Sequence, residues 1–330
     1  MIISRTPFRI SFFGGGTDYP SWYLKNGGSV LSTTIDKYCY ISCRYLPGFF
    51  DHKYRIVYSH IENVQNIKDI EHPSVRAVLG YLSETAGLEI HHDGDLPARS
   101  GLGSSSSFTV GLINALVAQK GRQISKEDLA SQAIHVEQNV IKESVGSQDQ
   151  ISAAFGGFNK IDFLKDGTFT VNPIILKQQR KQNLQDHLML FFTGVSRIAS
   201  DIAKSKIANF GKREEELITM SGMVDTAIQL LQSEVPILEF GNLLHETWVR
   251  KKSLSDRVTT PLVDQIYETA LKSGAVGGKL LGAGGGGFML LFVPPDKQKK
   301  IRANLSKLVN VPFVFENTGS RIALYQPEGL

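Results

Sequence analysis

The chain has 330 residues, 42% of them apolar and 21% charged, and a net charge of +4. That length suits one large domain or two ordinary ones, and the charge is too sparse and mixed for a disordered chain. The slight basic excess fits small anionic ligands but not a nucleic-acid surface, which needs a clustered basic face; the nearest cluster, Lys297, Lys299, Lys300 and Arg302, reads as the solvated side of a helix.

Residues 2–13 read as a strand that feeds a glycine turn, "GGGTDY". Arg5 and Arg9 interrupt the stretch and no cleavage-like site follows, which argues against a signal peptide. No apolar run approaches the ~20 residues of a membrane span, so the expectation is a cytoplasmic protein with no membrane partner. Segments 29–44 and 54–58 are strand-like. Cys39 and Cys43 lie four apart on the first of these, roughly 13 Å along a strand, too far to bridge. Reduced thiols are expected. Val75, Val78, Leu79 and Leu82 have helical spacing, and Gly87 ends that helix. His91-His92-Asp93 suggests a metal site, but neighbours on a strand point to opposite faces.

A helix opens near Ser104 and closes at Gly121. Ser125 and Asp128 resemble a capping box, opening a helix with Leu129, Ala133, Val136 and Val140 on one face. "SQDQISAAFGG" reads as a short helix stopped by glycines. Beyond about residue 180 the pattern changes to a strand, "HLMLFFTG", then helical stretches at 198–232, 237–254 and 261–273. A glycine-rich segment, a helix at 296–308 and strands at 312–315 and 320–325 finish the chain. The expected division is 1–180 and 181–330.

The stretch "LPARSGLGSSSSF", 96–108, places two glycines and four serines where a helix begins. Helix N-termini present unpaired N–H groups and partial positive charge, and glycine lets a ligand approach the backbone. The loop therefore reads as a phosphate cradle. It is not a Walker A loop, because no Gly-Lys-Ser/Thr follows. Gly282, Gly284 and Gly287 match G-x-G-x-x-G, but a strand follows where a dinucleotide site needs a helix. That loop reads as a close backbone approach beside the first cradle. A zinc-deaminase reading of His135-x-Glu137 fails for want of P-C-x-x-C.

Three motifs then carry a resemblance. "LPARSGLGSSSS", "GGKLLGAGGGGF" and "RTPFRISFFGGGTDY" resemble the second, third and first motifs of the GHMP kinases, in the family order. The resemblance implies an α+β, two-domain fold with ATP, Mg²⁺ and an alcohol-bearing substrate in the cleft. Within the family, 13–23 and 245–288 resemble the bacterial heptose 7-phosphate kinases, whose product is the 1,7-bisphosphate used for surface polysaccharide. Galactokinases carry Glu-His where this chain has Gly15-Gly16, which argues against galactose. The implied partners are ATP and a sugar phosphate, with a homodimer compatible.

By the same resemblance, Gly101, Leu102, Gly103, Ser104, Ser105, Ser106 and Ser107 wrap the ATP phosphates. Ser105 and Glu137 match the Mg²⁺-binding pair, a donor set that this ion tolerates. Asp149 matches the catalytic aspartate and Arg9 a cation beside the transferred phosphate. Gly15, Gly16, Thr17, Asp18, Gly284 and Gly285 fall in the substrate positions. Arg197, in the loop after the 187–194 strand, is the expected ligand of a substrate phosphate, with Lys177, Arg180 and Lys181 as rivals.

Overall fold

A computed structural model describes residues 1–98, 100–194 and 199–327. The first half builds a mixed sheet from β1 (Ile2–Phe13), β2 (Gly28–Tyr45), β3 (Tyr54–Val57), β4 (Ile61–Val64), β5 (Leu88–Gly94), β6 (Phe158–Phe163) and β7 (Phe169–Pro173). The 18-residue β2 is its spine, pairing with β6 through Gly28–Thr33 and with β5 through Cys39–Tyr45. Helices α1 (Pro20–Asn26), α2 (Pro73–Tyr81), α3 (Ser104–Gln119), α4 (Lys126–His135) and α5 (Gln148–Phe155) belong to this half. Helix α3 is buried along most of its length against β1 and β2. Gly111 permits that contact, since a Cβ there would meet Thr6 Oγ1 at 2.8 Å.

After α6 (Gln178–Asp186), a four-stranded antiparallel sheet forms from β8 (Leu188–Phe192), β9 (Gly277–Leu280), β10 (Phe288–Phe292) and β11 (Val309–Val311), in the order β11-β8-β10-β9. Helices α7 (Ala199–Asn209), α8 (Glu214–Gln232), α9 (Leu238–Ser253), α10 (Pro261–Ser273) and α11 (Gln298–Asn304) accompany it. Phe240 of α9 stands edge-on to Phe12 and Phe13 of β1, with ring centroids 5.6 and 5.2 Å apart, and also touches Phe292 of β10. Burying these rings in one cluster joins the two halves and fixes the cleft between them.

Several expectations need correction. β12 (Phe315–Glu316) pairs with β2 and β13 (Arg321–Tyr325) with β1, so the end of the chain rejoins the first sheet. Residues 315–325 thus lie in the sheet of the 1–180 part. Helix α2 ends at Tyr81, six residues before Gly87, because Ser83 turns to a φ of +50°. Past α4, residues Val136–Val140 form a π-helical turn, whose wider pitch breaks the expected face and leaves Val140 43% exposed. The 198–232 stretch is two helices, broken by a 3₁₀ turn at Phe210–Lys212. The capping box is present, with Ser125 Oγ accepting from the Asp128 N–H at 3.0 Å. Cys39 and Cys43 are buried and unbridged, and burial pushes both thiols up. His91 contacts Glu89 while His92 stands edge-on to Phe108, on opposite sides of the strand as expected. Among the described residues no helix is long and apolar enough to cross a membrane.

Candidate active site

Strand β1, the 96–103 loop and the 281–287 loop meet at one place. The Arg9 N–H donates to Leu102 O at 3.0 Å, and the Phe288 N–H to Ser100 O at 3.1 Å. Gly282 fits against Gly101 so closely that a Cβ would come 2.5 Å from the Gly101 Cα. Gly101 itself has a φ of +85°, and a Cβ there would lie 2.6 Å from Leu281 O. The second glycine loop is therefore a backbone brace for the first, as its strand context suggested.

A cavity of about 220 Å³ opens over this junction. One wall is the start of α3: Gly101, Gly103, Ser104, Ser105 and Ser106. Gly103, at a φ of +77°, precedes α3 with no side-chain cap, which leaves the first-turn backbone donors of a 16-residue helix directed to whatever occupies the cavity. Leu102 and Ser107 do not line it. Leu102 is core, and the Ser107 hydroxyl donates to Pro7 O at 3.0 Å.

Arg9 and Asp149 lie against the glycines of that wall, since a Cβ on Gly103 would come 3.3 Å from Arg9 Cγ and 3.4 Å from Asp149 Cγ. The guanidinium holds the carboxylate with two bonds, Nε–Oδ1 at 2.7 Å and Nη2–Oδ2 at 2.8 Å, and spends a third donor on Gly101 O at 2.7 Å. A two-pronged pair of this kind fixes the carboxylate in orientation as well as charge. Asp149 stays partly open to the cavity, with 25% of its side chain exposed.

Asp18 is buried, accepting from the Gly16 N–H at 2.9 Å and from Gln148 Nε2 at 2.9 Å. Burial raises its pKa, against the pull of the Gly16 N–H. Gly15, Gly16 and Asp18 line the cavity, but the Gly16 N–H is committed to Asp18. Thr17 does not line it: its hydroxyl closes the turn onto Gly14 O and Ser29 O. Gly284 and Gly285 also miss the cavity, because they lean on the Val258 backbone; Gly282 and Ala283 take their place.

Ser105 and Glu137, the expected magnesium ligands, share no hydrogen bond. Glu137 sits in the π-helical turn, fully buried, and accepts from Ser106 Oγ at 2.9 Å and from Gln150 Nε2. Ser105 is one residue away on the helix and faces the cavity exposed. Burial pushes the Glu137 carboxyl up to about 7 although Thr109, Ser106 and Gln150 favour its ionised form. Its Oε1 has no hydrogen-bond partner. An orphaned carboxylate oxygen beneath serine hydroxyls has the donor chemistry of a magnesium site. Arg197 lies outside the described residues. Of its rivals, Lys177 contacts Glu234, Arg180 the carbonyls of Leu230 and Val235, and Lys181 Asn317, none of them at the cavity.

The cavity lining also holds residues not singled out from the sequence, among them Lys206, Lys251 and Lys279, each no more than 4% exposed. Lys251 Nζ donates to Leu280 O at 2.9 Å and Gly282 O at 2.7 Å, Lys279 Nζ donates to Phe12 O at 2.7 Å, and Lys206 Nζ lies 5.4 Å from the Tyr19 ring centroid. Burial lowers all three ammonium pKa values, Lys279 to about 7, and neighbouring cations push the same way. The sequence did carry a signal. Lys206 shares a helical face with the buried Ile202, Ala203 and Phe210, Lys251 follows Leu244 and Trp248 at the same spacing, and Lys279 interrupts an otherwise apolar strand.

Comparison with known proteins fits this geometry. The GHMP kinases N terminal domain model matches residues 73–157 and the GHMP kinases C terminal model residues 234–311. A D-glycero-alpha-D-manno-heptose 7-phosphate kinase of Campylobacter jejuni is 31% identical over 93% of each chain. The L-fucokinase/L-fucose-1-P guanylyltransferase of Bacteroides fragilis is 26% identical over 94% of this chain, which spans 36% of that longer protein. Among solved structures, a D-glycero-D-manno-heptose 1-phosphate kinase from Bacteroides thetaiotaomicron superposes with a TM-score of 0.80 at 22% identity, covering 99% of this chain and all of the other. The Lactococcus lactis galactokinase superposes at 0.75 with 18% identity, over 97% and 94% of the two chains. Both of these last likenesses are of fold. The chain belongs to the GHMP kinases, with their two-domain α+β fold, and is an ATP-using phosphotransferase whose acceptor is an alcohol group.

Proposed function

We propose that this kinase phosphorylates D-glycero-D-manno-heptose 7-phosphate on the anomeric C1 hydroxyl, giving the 1,7-bisphosphate and ADP. The observation that carries the acceptor is the 31% identity, over 93% of both chains, with the Campylobacter jejuni heptose 7-phosphate kinase. The cavity supports the chemistry. The α3 N-terminus at Ser104–Ser106 takes the nucleotide phosphates. Asp149, oriented by Arg9, accepts the hydroxyl proton as the sugar oxygen bonds to the γ-phosphorus and the bond to the ADP oxygen breaks. Arg9 stabilises charge on the transferring group. Asp18 holds sugar hydroxyls. An anomeric hydroxyl is more acidic than an ordinary alcohol, so a carboxylate base suffices.

Glu137, with the cradle serine hydroxyls above it, would hold Mg²⁺, which supplies charge neutralisation to the nucleotide phosphates. The chain's own contribution is to keep that carboxylate dry and oriented by Ser106 and Gln150. A division near residue 180, with 315–325 returning to the first part, a cytoplasmic setting and a role in nucleotide-activated heptose for surface polysaccharide belong to the same reading.

A fucose-type kinase is the second reading, favoured by the similarity to the Bacteroides fragilis protein. An acceptor panel separates them: heptose 7-phosphate, free heptose, mannose 6-phosphate, fucose and galactose, each with ATP and Mg²⁺. The proposal expects the highest kcat/KM with heptose 7-phosphate. Equal use of free heptose, or a preference for fucose, defeats it.

A further inference from the structure

We infer that Lys206, Lys251 and Lys279 form a subsite for a phosphate dianion at the acceptor end of the cavity, and that its occupant is the phosphate that the sugar already carries. The inference rests on the heptose 7-phosphate reading for the identity of the sugar, but not for the existence of the subsite.

Charge favours an anion here. Four cations line this one cavity: Arg9, Lys206, Lys251 and Lys279. Arg9 is matched by Asp149 through two short bonds. Lys251 and Lys279 contact backbone carbonyls, and Lys206 a ring face. Those contacts orient an ammonium without neutralising it. Asp18 attracts all three lysines and Asp149 also attracts Lys206; Glu143 also lines the cavity, with Ser144 and Val145. With every group ionised, these four cations exceed the three carboxylates that line the cavity, Asp18, Asp149 and Glu143, so the cavity is net positive and suited to an anion. Buried charge without a counter-ion is costly, so the cluster is built to receive one or to lose protons. The lowered lysine pKa values, with Arg9 adding its repulsion, are the cluster's state before an anion arrives.

Position favours the acceptor. The nucleotide phosphates already have the uncapped start of α3. Two of the lysines are instead tied to the acceptor-binding segment, while Lys251 holds the 280–282 backbone beside them. Lys279 reaches from β9 to Phe12 O, just before the Gly14–Gly16 turn, and Lys206 lies against Tyr19, just after Asp18. Lysine suits the task, since an ammonium has three donors and each side chain here spends at most two on the protein. A phosphate held there would anchor the sugar at its far end and orient C1 toward Asp149.

The test is isothermal calorimetry on the full chain, saturated with a non-hydrolysable ATP analogue and Mg²⁺ so that the cradle is filled. The titrants are heptose 7-phosphate, free heptose and inorganic phosphate, and, in a separate titration of the nucleotide-free protein, the ATP analogue itself. The proteins are wild type, Lys206→Met and Lys279→Met; either variant carries the test if the other does not fold. In the variants the preference for heptose 7-phosphate over heptose is expected to fall roughly tenfold or more, the scale of one lost charge-assisted bond, and inorganic phosphate binding to be lost. A preference unchanged in both variants overturns the inference. So does weakening of the nucleotide analogue by the same factor, which would assign the lysines to the nucleotide's terminal phosphate. If wild type binds inorganic phosphate in a lysine-dependent way but not heptose 7-phosphate, the subsite stands and the reading of the sugar fails. If it binds heptose 7-phosphate with no lysine dependence, the sugar stands and the subsite fails.

Discussion

Lys279→Met isolates the cost of the buried cation cluster. Lys279 is 2% exposed, and its one hydrogen bond shown is to Phe12 O, across the junction of the two sheets. Burial first, then Arg9 and Lys206, bring its pKa from 10.5 to about 7, with Asp18 opposing. Below pH 7 both the folded and unfolded chains carry the proton, and the folded state bears the whole penalty, roughly 5 kcal/mol for that drop. Between pH 7 and 10.5 the unfolded chain holds a proton that the folded chain has lost, so stability rises with pH. The slope is about 1.4 kcal/mol per pH unit, or roughly 3 kcal/mol from pH 7 to 9. For a chain of 330 residues that is a rise in Tm of about 4 °C. Burial lowers Lys251 and Lys206 as well, so the slope belongs to the cluster. The assay is thermal unfolding of the ligand-free protein at pH 7, 8 and 9, in wild type and Lys279→Met. Removing the bond to Phe12 O costs about 1–3 kcal/mol at every pH, a constant offset. The pH-dependent difference between the two proteins is the signal. Parallel pH profiles would refute the reasoning, and saturating phosphate should flatten the wild-type slope.

Asp149→Asn is expected to lower kcat by about 10²–10⁴-fold, at the low end because phosphoryl transfer is loose, while ATP-analogue affinity by calorimetry changes little; near-normal turnover removes Asp149 from the mechanism. Arg9→Lys keeps one charge but cannot make both carboxylate bonds and the bond to Gly101 O, so kcat should fall about tenfold or more in a coupled ADP assay, and an unchanged kcat would contradict the orienting role. Glu137→Gln and Ser106→Ala should each raise the Mg²⁺ concentration for half-maximal rate; if Ser105→Ala does so and Ser106→Ala does not, Ser105 is the hydroxyl ligand. Gly101→Ala should lose about 1–3 kcal/mol by chemical denaturation, from its φ of +85° and the 2.6 Å approach to Leu281 O, and an unaffected midpoint would show that the loop yields.

Much of the site was legible because its demands are local. A run of glycine and serine before an apolar helix reads as a cradle from residue types alone, and α3 opens at Ser104 as that reading requires. Arg9 and Asp149 are 140 residues apart in sequence, so spacing could not join them; the family motifs did, and the structure brings them into contact. What the sequence hid depends on rotation about an axis. A π-helical turn decides that Glu137 faces Ser106 and not Ser105, and no periodicity announces that extra residue per turn. The return of β12 and β13 to the first sheet is a long-range pairing with no local signature. The three lysines were overlooked for a different reason. Lysine on a helix is ordinarily solvated, and only the apolar company at one helical spacing marks Lys206 and Lys251 as buried.

The central claim is transfer of a phosphoryl group to C1 of a sugar that already bears a phosphate. Phosphorus NMR of the product formed from ATP and heptose 7-phosphate tests it most directly. The C7 phosphate resonance is expected to remain, and a second phosphate signal to appear, coupled to the anomeric proton H1. A product with no phosphate coupled to H1, or consumption of ATP without a new phosphate ester, contradicts it.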